Sequence, residues 1–434
     1  MNSYDCVVAG GGFAGLAFAG ELADRGADVL VLDDSQRDLD GMPCFVDSDA
    51  IGSFDGLPAH ELSGIDIADP YTATVVPAGP AGFKVVDGGR LLSLLEERAI
   101  ASGAEVVKRS RVIGAGTRRG RVISVATERA TFPCSLALDS TGGDRVLSRS
   151  LPGGMGVPRR IKASDHYRFH QEAREAGDAT EEGPGRGRLT IHMSRYGGFG
   201  WSYRTDDVIV VASAVQDRVG APDPREVVHG YCRSNPWIGE GVLAVEGGRI
   251  AVRRPLDSMA TPGMLIAGAA ACQSGPFFML RGVGESINAS RLAAEVASSA
   301  IESGETSLAA LWRYNSGYMR GPGARAAALD CVRVFLQHIS EKDLSWSITR
   351  GLIDSQEMSG AIRGRLEVPG AQARMVNLVR GLTEMPTLVR FQNALKLAQK
   401  IQEIYERYPV AYEPDEYAEW LEKTGYLFED SARL

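Results

Sequence analysis

The sequence has no basic excess, no paired cysteines and no long apolar run. Its formal net charge of −8 over 434 residues leaves no general positive field for nucleic acid, so that partner is not expected. Six cysteines (Cys6, Cys44, Cys134, Cys232, Cys272, Cys331) lie far apart, without a CxxC pair or a cysteine–histidine cluster of ligand spacing. Neither a disulfide framework nor a zinc or iron–sulfur centre is expected. The six histidines (His60, His166, His170, His192, His229, His338) form no zinc-like spacing either. His166 and His170 stand four apart, but the alternating pattern around them reads as strand, and structural or solvated roles are expected for all six. No apolar run reaches the roughly 20 residues of a spanning helix. The opening MNSYDCVVAGGG has no positive lead before its apolar stretch, so we expect a cytoplasmic protein whose membrane contact is at most peripheral.

What is present is an ordinary globular composition, 44% hydrophobic and 24% charged, in a chain long enough for two or three structural units. DCVVA at Asp5 to Ala9 reads as a strand, AGLAFAGELADR at Ala14 to Arg25 as a helix stopped by Gly26, and DVLVL at Asp28 to Leu32 as the next buried strand. Residues 35–80, rich in Gly, Asp and Pro, read as long irregular connections. A helix at Arg90 to Ser102, a strand at Ala104 to Lys108, a hairpin around Arg111 to Ala126 and a strand at Ser135 to Leu138 follow. Between about Ser164 and Val252 the period changes to two, as in an antiparallel sheet. Then a strand at Met264 to Ala267 and a long helix from about Glu285 to Ser303 return to the first type. The spacing from Ser307 onward is helical. The fold class expected is therefore α/β. A discontinuous Rossmann-like dinucleotide-binding domain (1–163 and 253–306) accompanies an antiparallel β-sheet domain (164–252) and a C-terminal helical region (307–434).

Gly10-Gly11-Gly12-Phe13-Ala14-Gly15 carries the pattern GxGxxG. The first glycine permits a tight turn, the second lets a pyrophosphate approach the backbone, and the third lets helix and strand pack closely. Free N–H groups and the helix dipole then hold phosphate charge. Asp33 closes the second strand, where a ribose hydroxyl needs an acceptor. A similar run, Gly114 to Gly120, misses the spacing and reads as structural. One such unit holds either NAD or FAD.

Resemblance separates them. VVAGGGFAGLAFAGELADRGADVLVLDD, VVDGGRLLSLLEERAIASGAEV, LALDSTGGDRVLSRSL and LIAGAAACQSGPFFMLRGVGESINASRLAAE fall in the order seen in flavoproteins with the glutathione-reductase-like FAD fold. Within that class the chain resembles the geranylgeranyl reductase family, which uses reduced FAD to saturate isoprenoid double bonds. Met42-Pro43-Cys44-Phe45 stands where that family carries a PCG-like segment, with Phe45 replacing the glycine. Gly198 to Arg204 (GFGWSYR) is similar to its YxWxFP-like strand without the proline, and residues 388–409, ending ERYP, are similar to its helical tail. The resemblance implies FAD contacts at Gly10, Gly12, Phe13, Ala14, Gly15, Asp33, Asp34, Cys44, Val107, Gly142, Gly268, Ala269, Pro276, Gly282, Val283 and Gly284. Ala269 replaces the aspartate that the class usually places on the ribityl chain.

Two site readings follow from the resemblance. Phe199, Trp201 and Tyr203 share one sheet face at period two, either as the wall of an apolar substrate pocket or as an aromatic core face. Cys44 is either a small buried hydrophobe or the weak acid that completes double-bond reduction. The expected activity is saturation of an isoprenoid lipid or prenyl chain, with NADPH and ferredoxin both open as electron donor because no second nucleotide fingerprint is present. Residues 370–408 carry Arg374, Arg380, Arg390, Lys396, Lys400 and Arg407 against Glu384, Glu403 and Glu406, which suits anionic headgroups or an ordinary solvated face. The competing reading is a flavin monooxygenase or halogenase acting on a small aromatic metabolite. Ala270-Ala271-Cys272 and Pro276-Phe277-Phe278 are similar to halogenases, but the WxWxIP strand is incomplete and Lys84, the only lysine before position 100, lies in another context. A third reading is a degenerate flavin fold that has lost FAD through Ala269.

Overall fold

A computed structural model describes residues 3–34, 39–51, 56–68, 75–77, 82–178, 183–193, 198–205, 207–275, 282–340, 342–343, 345, 360–361, 366, 385–431 and 433. Apolar, β-branched runs form the centre of the first sheet. Strand β1 (Tyr4–Ala9) lies between β2 (Val29–Asp33) and the strand Thr131–Asp139, parallel to both, and Glu105–Lys108 and Met264–Ile266 extend the sheet outward. The register sets Ala9 beside Leu32 and Asp139, so the carboxyl ends of three strands meet at one crevice. Ligands of open parallel sheets bind at such crevices. Helix α1 (Phe13–Ala23) leaves β1 through the glycine turn and packs on the helix Gly282–Glu302. The small side chains of both helices permit this close approach.

The second sheet has the order Ile238–Ala251, His166–Ala176, Val208–Gln216, Phe199–Arg204, Arg188–Met193, Gly64–Ala68, Val75–Pro77. Its first five strands pair antiparallel, whereas Arg188–Met193 and Gly64–Ala68 run parallel. Residues 35–80 are therefore not simply irregular connections. They supply the last two strands of that order, Gly64–Ala68 and Val75–Pro77, and also Pro43–Asp47 and Ala59–Glu61, which flank Phe83–Asp87 in a three-stranded sheet. The strands are three to five residues long and gain their hydrogen bonds from partners far along the chain, so the local Gly/Asp/Pro content conceals them.

The C-terminal helices Leu308–Tyr318, Ala324–His338, Met385–Glu406 and Pro414–Ser431 follow. The first two are joined by a wide helical turn, Met319–Gly323, at Pro322, which lacks an N–H to continue the regular ladder. Trp312 and Trp420 pack with Tyr408 and Tyr417, and the Trp312 indole donates to Pro409 O at 2.9 Å. Among the described residues no helix is long and apolar enough to cross a membrane.

Candidate functional site

The glycine turn after β1 is fixed by backbone contacts that exclude a side chain. Gly10 has φ +102°, and a Cβ there would lie 2.5 Å from Ser140 O. At Gly15 a Cβ would lie 2.0 Å from Gly10 O. These two glycines make the turn. Gly12 differs, because a Cβ there would meet nothing within 4 Å, so its α-carbon faces open space. Gly12 also caps α1 with no side-chain bond, and the first turn of that helix holds no acidic residue. The N–H groups and positive dipole end of α1 are left for an anion.

Asp33 ends β2 beside this turn. It is buried, its Oδ1 accepts from the Gly11 N–H at 3.2 Å, and Lys108 Nζ lies 3.4 Å from its Oδ2. Its side chain lines the cavity at the end of β2, where a ribose hydroxyl would need an acceptor. On the other side, buried Asp139 shapes the loop of the DSTGGD motif. Its Oδ1 accepts from Thr141 N–H and Oγ1, and its Oδ2 accepts from Ser148 N–H and Oγ. Ser140 Oγ donates towards Ala9 O and Gly10 O, tying that loop to the glycine turn. Together these segments enclose a cavity of about 890 Å³ lined by Gly10, Gly12, Phe13, Asp33, Asp34 and Gly142, among others. A nucleotide with its pyrophosphate over Gly12 fits this shape and polarity.

Other expected positions fall around that cavity rather than in its lining. Ala14 and Gly15 are buried in α1, and Val107 pairs with Leu32 in the sheet behind. Gly268 has φ +67°, and a Cβ there would meet Ala14 Cβ at 2.7 Å, so the late motif docks directly on α1. Ala269 is half-buried in the tight turn Gly268–Ala271. The long helix opens at Gly282 and Val283, and Gly284 in its first turn packs against Asp47 and Ala50. Pro276 lies outside the described residues.

Cys44 sits on the strand Pro43–Asp47 opposite Val86. The DGG of the middle motif holds that strand in place. Asp87 Oδ1 caps the helix Gly88–Ala101 at Arg90 N–H, its Oδ2 accepts from Gly41 N–H, and Gly88 N–H donates to Met42 O. A Cβ at Gly88 would lie 2.7 Å from the Cys44 sulfur. Burial, with the carboxylates of Glu246 and Asp87 nearby, pushes the Cys44 thiol well above its ordinary value. It is therefore a protonated thiol at neutral pH.

Phe199, Trp201 and Tyr203 are buried on one face of the second sheet. Tyr203 makes an edge contact with Phe45 at 5.4 Å, and Phe199 packs on Trp201 and Tyr167. This apolar layer lies between that sheet and the Cys44 strand. The Trp201 Nε1 is buried there with no acceptor among the described residues.

Sequence reading missed several positioning residues. Buried Gln273 accepts from Gly268 N–H at 2.7 Å and donates to Tyr314 OH at 2.9 Å, while Arg145 Nε donates to Ala270 O at 2.8 Å. Both hold the late-motif turn. A polar residue inside an otherwise apolar segment was the available signal for Gln273, and the DSTGGD run was the signal for Asp139.

No family model matches the chain. It is 25% identical over 427 residues to a digeranylgeranylglycerophospholipid reductase of Sulfolobus acidocaldarius, covering 94% of this chain and 93% of the relative. Its fold matches that of a geranylgeranyl bacteriochlorophyll reductase-like protein from Thermoplasma acidophilum with a TM-score of 0.71. That match has 16% identity and covers 91% of this chain and all of the other. A myxobacterial chondrochloren halogenase, an FAD-dependent halogenase, matches with a TM-score of 0.61 at 15% identity over 89% of this chain and 97% of its own. With a glycine cradle that suits FAD and a relative spanning nearly its whole length, the chain is an FAD-dependent oxidoreductase similar to geranylgeranyl reductases.

Proposed function

We propose that this enzyme saturates carbon–carbon double bonds in the isoprenoid chains of a lipid, with electrons supplied by NADPH or a ferredoxin. The observation that carries the reading is the full-length similarity to a protein named for reduction of a digeranylgeranyl lipid. When bound and reduced, FAD supplies hydride chemistry.

The protein's own residues would do the rest. Gly12 and the start of α1 would hold the pyrophosphate, and Asp33 the ribose. Cys44, kept protonated by burial and by Glu246 and Asp87, would hold a proton on the strand whose other face, at Phe45, joins the apolar layer of Phe199, Trp201 and Tyr203. A prenyl chain entering that layer would be shielded from water, which favours hydride transfer over loss to solvent. Exposed Lys396 and Lys400 on the helix Met385–Glu406 would meet anionic headgroups. The remainder of the proposed contact segment, residues 370–384, lies outside the described residues.

Single-turnover reoxidation tests this assignment. Chemically reduced enzyme mixed anaerobically with a geranylgeranyl lipid should recover oxidised flavin absorbance. Cys44→Ser should keep its flavin but slow recovery by about 10²-fold, the scale of general-acid catalysis. Unchanged rates in Cys44→Ser would reduce Cys44 to a packing residue, and no reoxidation of the wild type by any prenyl lipid would remove the substrate assignment.

A further inference from the structure

Outside the lining of the nucleotide cavity, three chemically matched side chains converge on the second sheet. His170 and Glu172 alternate on the strand His166–Ala176 and so share a face, and His229 reaches them from the helix Pro224–Arg233. The Nε2 atoms of both histidines point at one carboxylate oxygen, Glu172 Oε1, at 2.7 and 2.9 Å. All three ligand atoms lie within 4.8 Å of one another. Sequence spacing hid the group, because two members are a strand pair and the third comes from a helix in another stretch of chain.

We propose that His170, Glu172 and His229 bind a divalent transition-metal ion, zinc above the others, fastening this helix to the sheet.

The donor set is two imidazoles and one carboxylate, a combination that suits zinc and related first-row ions. Zinc bonds of about 2.0–2.1 Å in tetrahedral geometry separate ligand atoms by about 3.3 Å, so the two histidine–glutamate spacings of 2.7 and 2.9 Å need only a small expansion. The carboxylate is already oriented. Arg174 Nε holds its second oxygen at 2.7 Å while Arg174 Nη1 donates to Gly239 O at 3.2 Å, the outer-sphere support that metal ligands usually have. The His170 and Glu172 side chains are 7% and 4% exposed, whereas His229 is 40% exposed, which gives an ion its entry path. An adjoining cavity of about 680 Å³, lined by His229, Cys232, Asp178 and Glu240 together with Arg174 and Arg233, leaves room for a water in the fourth position.

The test uses full-length, untagged protein with its flavin. After dialysis against chelator, titration calorimetry with zinc chloride should give one site per chain with micromolar or tighter affinity. Cobalt substitution should produce d–d absorption of a low-coordinate site. His229→Ala, on the half-exposed helix, should weaken zinc at least about 100-fold, while His338→Ala, on another helix, should not. Zinc should raise the unfolding midpoint of the wild type and of His338→Ala but not of His229→Ala, as mass action requires for an ion bound only by the native state. Flavin absorbance in the same samples confirms that each variant is folded. Millimolar or undetectable zinc affinity in the wild type, or zinc binding by His229→Ala equal to wild type, would overturn the proposal and leave a hydrogen-bonded histidine–glutamate network.

Discussion

The glycines of the turn after β1 perform different tasks, and substitution should separate them. At Gly12 the backbone (φ −83°, ψ −174°) is extended, and an added Cβ meets nothing within 4 Å. The cost of Gly12→Val to folding is limited to a poorer helix cap, about 1 kcal/mol or less. Its cost to the cofactor is larger, because valine fills the space through which a pyrophosphate reaches the N–H groups of α1. Losing two charge-assisted hydrogen bonds at about 1.5–3 kcal/mol each predicts FAD affinity lower by at least about 100-fold. Gly15→Ala behaves oppositely. Its Cβ would lie 2.0 Å from Gly10 O, backbone against backbone, so stability should fall by about 1–3 kcal/mol or more. Flavin fluorescence titration and thermal unfolding of both variants read the two effects. A folded Gly12→Val that binds FAD within a few-fold of wild type would refute the assignment of Gly12 to the pyrophosphate.

Two further outcomes follow from the same structure. Ala269 stands in a turn whose preceding N–H, at Gly268, is held by Gln273. Ala269→Asp, restoring the acceptor usual in the class, should tighten FAD by about 10-fold, worth about 1–3 kcal/mol. Unchanged affinity in a titration would show that the turn has been rebuilt around alanine. Burial pushes His192 down to about 4, so between that value and an ordinary 6.5 the unfolded chain binds the extra proton. Stability should therefore be full above about pH 6.5 and decline by up to about 3 kcal/mol as pH falls towards 4. His192→Gln should flatten that part of the denaturation profile, and a wild-type profile level from pH 7 to 4 would contradict the buried neutral state.

The nucleotide half of the fold was legible because its requirements are local. Gly10 needs a positive φ, Gly15 a close helix–strand contact and Asp33 a place at the end of a short apolar strand, and each demand leaves one residue type at a fixed spacing. The late motif was legible only through resemblance, since what holds it, Gln273 to Gly268 and Tyr314, links residues through side chains that no period reveals. Residues 35–80 were misread for a similar reason. Gly64–Ala68 is a strand because Arg188–Met193 pairs with it, and nothing within GIDIA announces a partner so distant. The aromatic strand shows the limit of pattern. Period two correctly put Phe199, Trp201 and Tyr203 on one face, yet only the contact with Phe45 shows that the Cys44 strand covers it. Likewise His170 and Glu172 read as ordinary strand residues until His229 meets them.

The account stands or falls on the fate of a prenyl lipid. Wild-type enzyme, reduced chemically with FAD bound and incubated without air, should convert a geranylgeranyl lipid to products heavier by about two mass units for each bond saturated, as addition of a hydride and a proton requires. Mass spectra showing unchanged prenyl lipid, together with oxygen or halide incorporated into a small aromatic substrate in air, would contradict it.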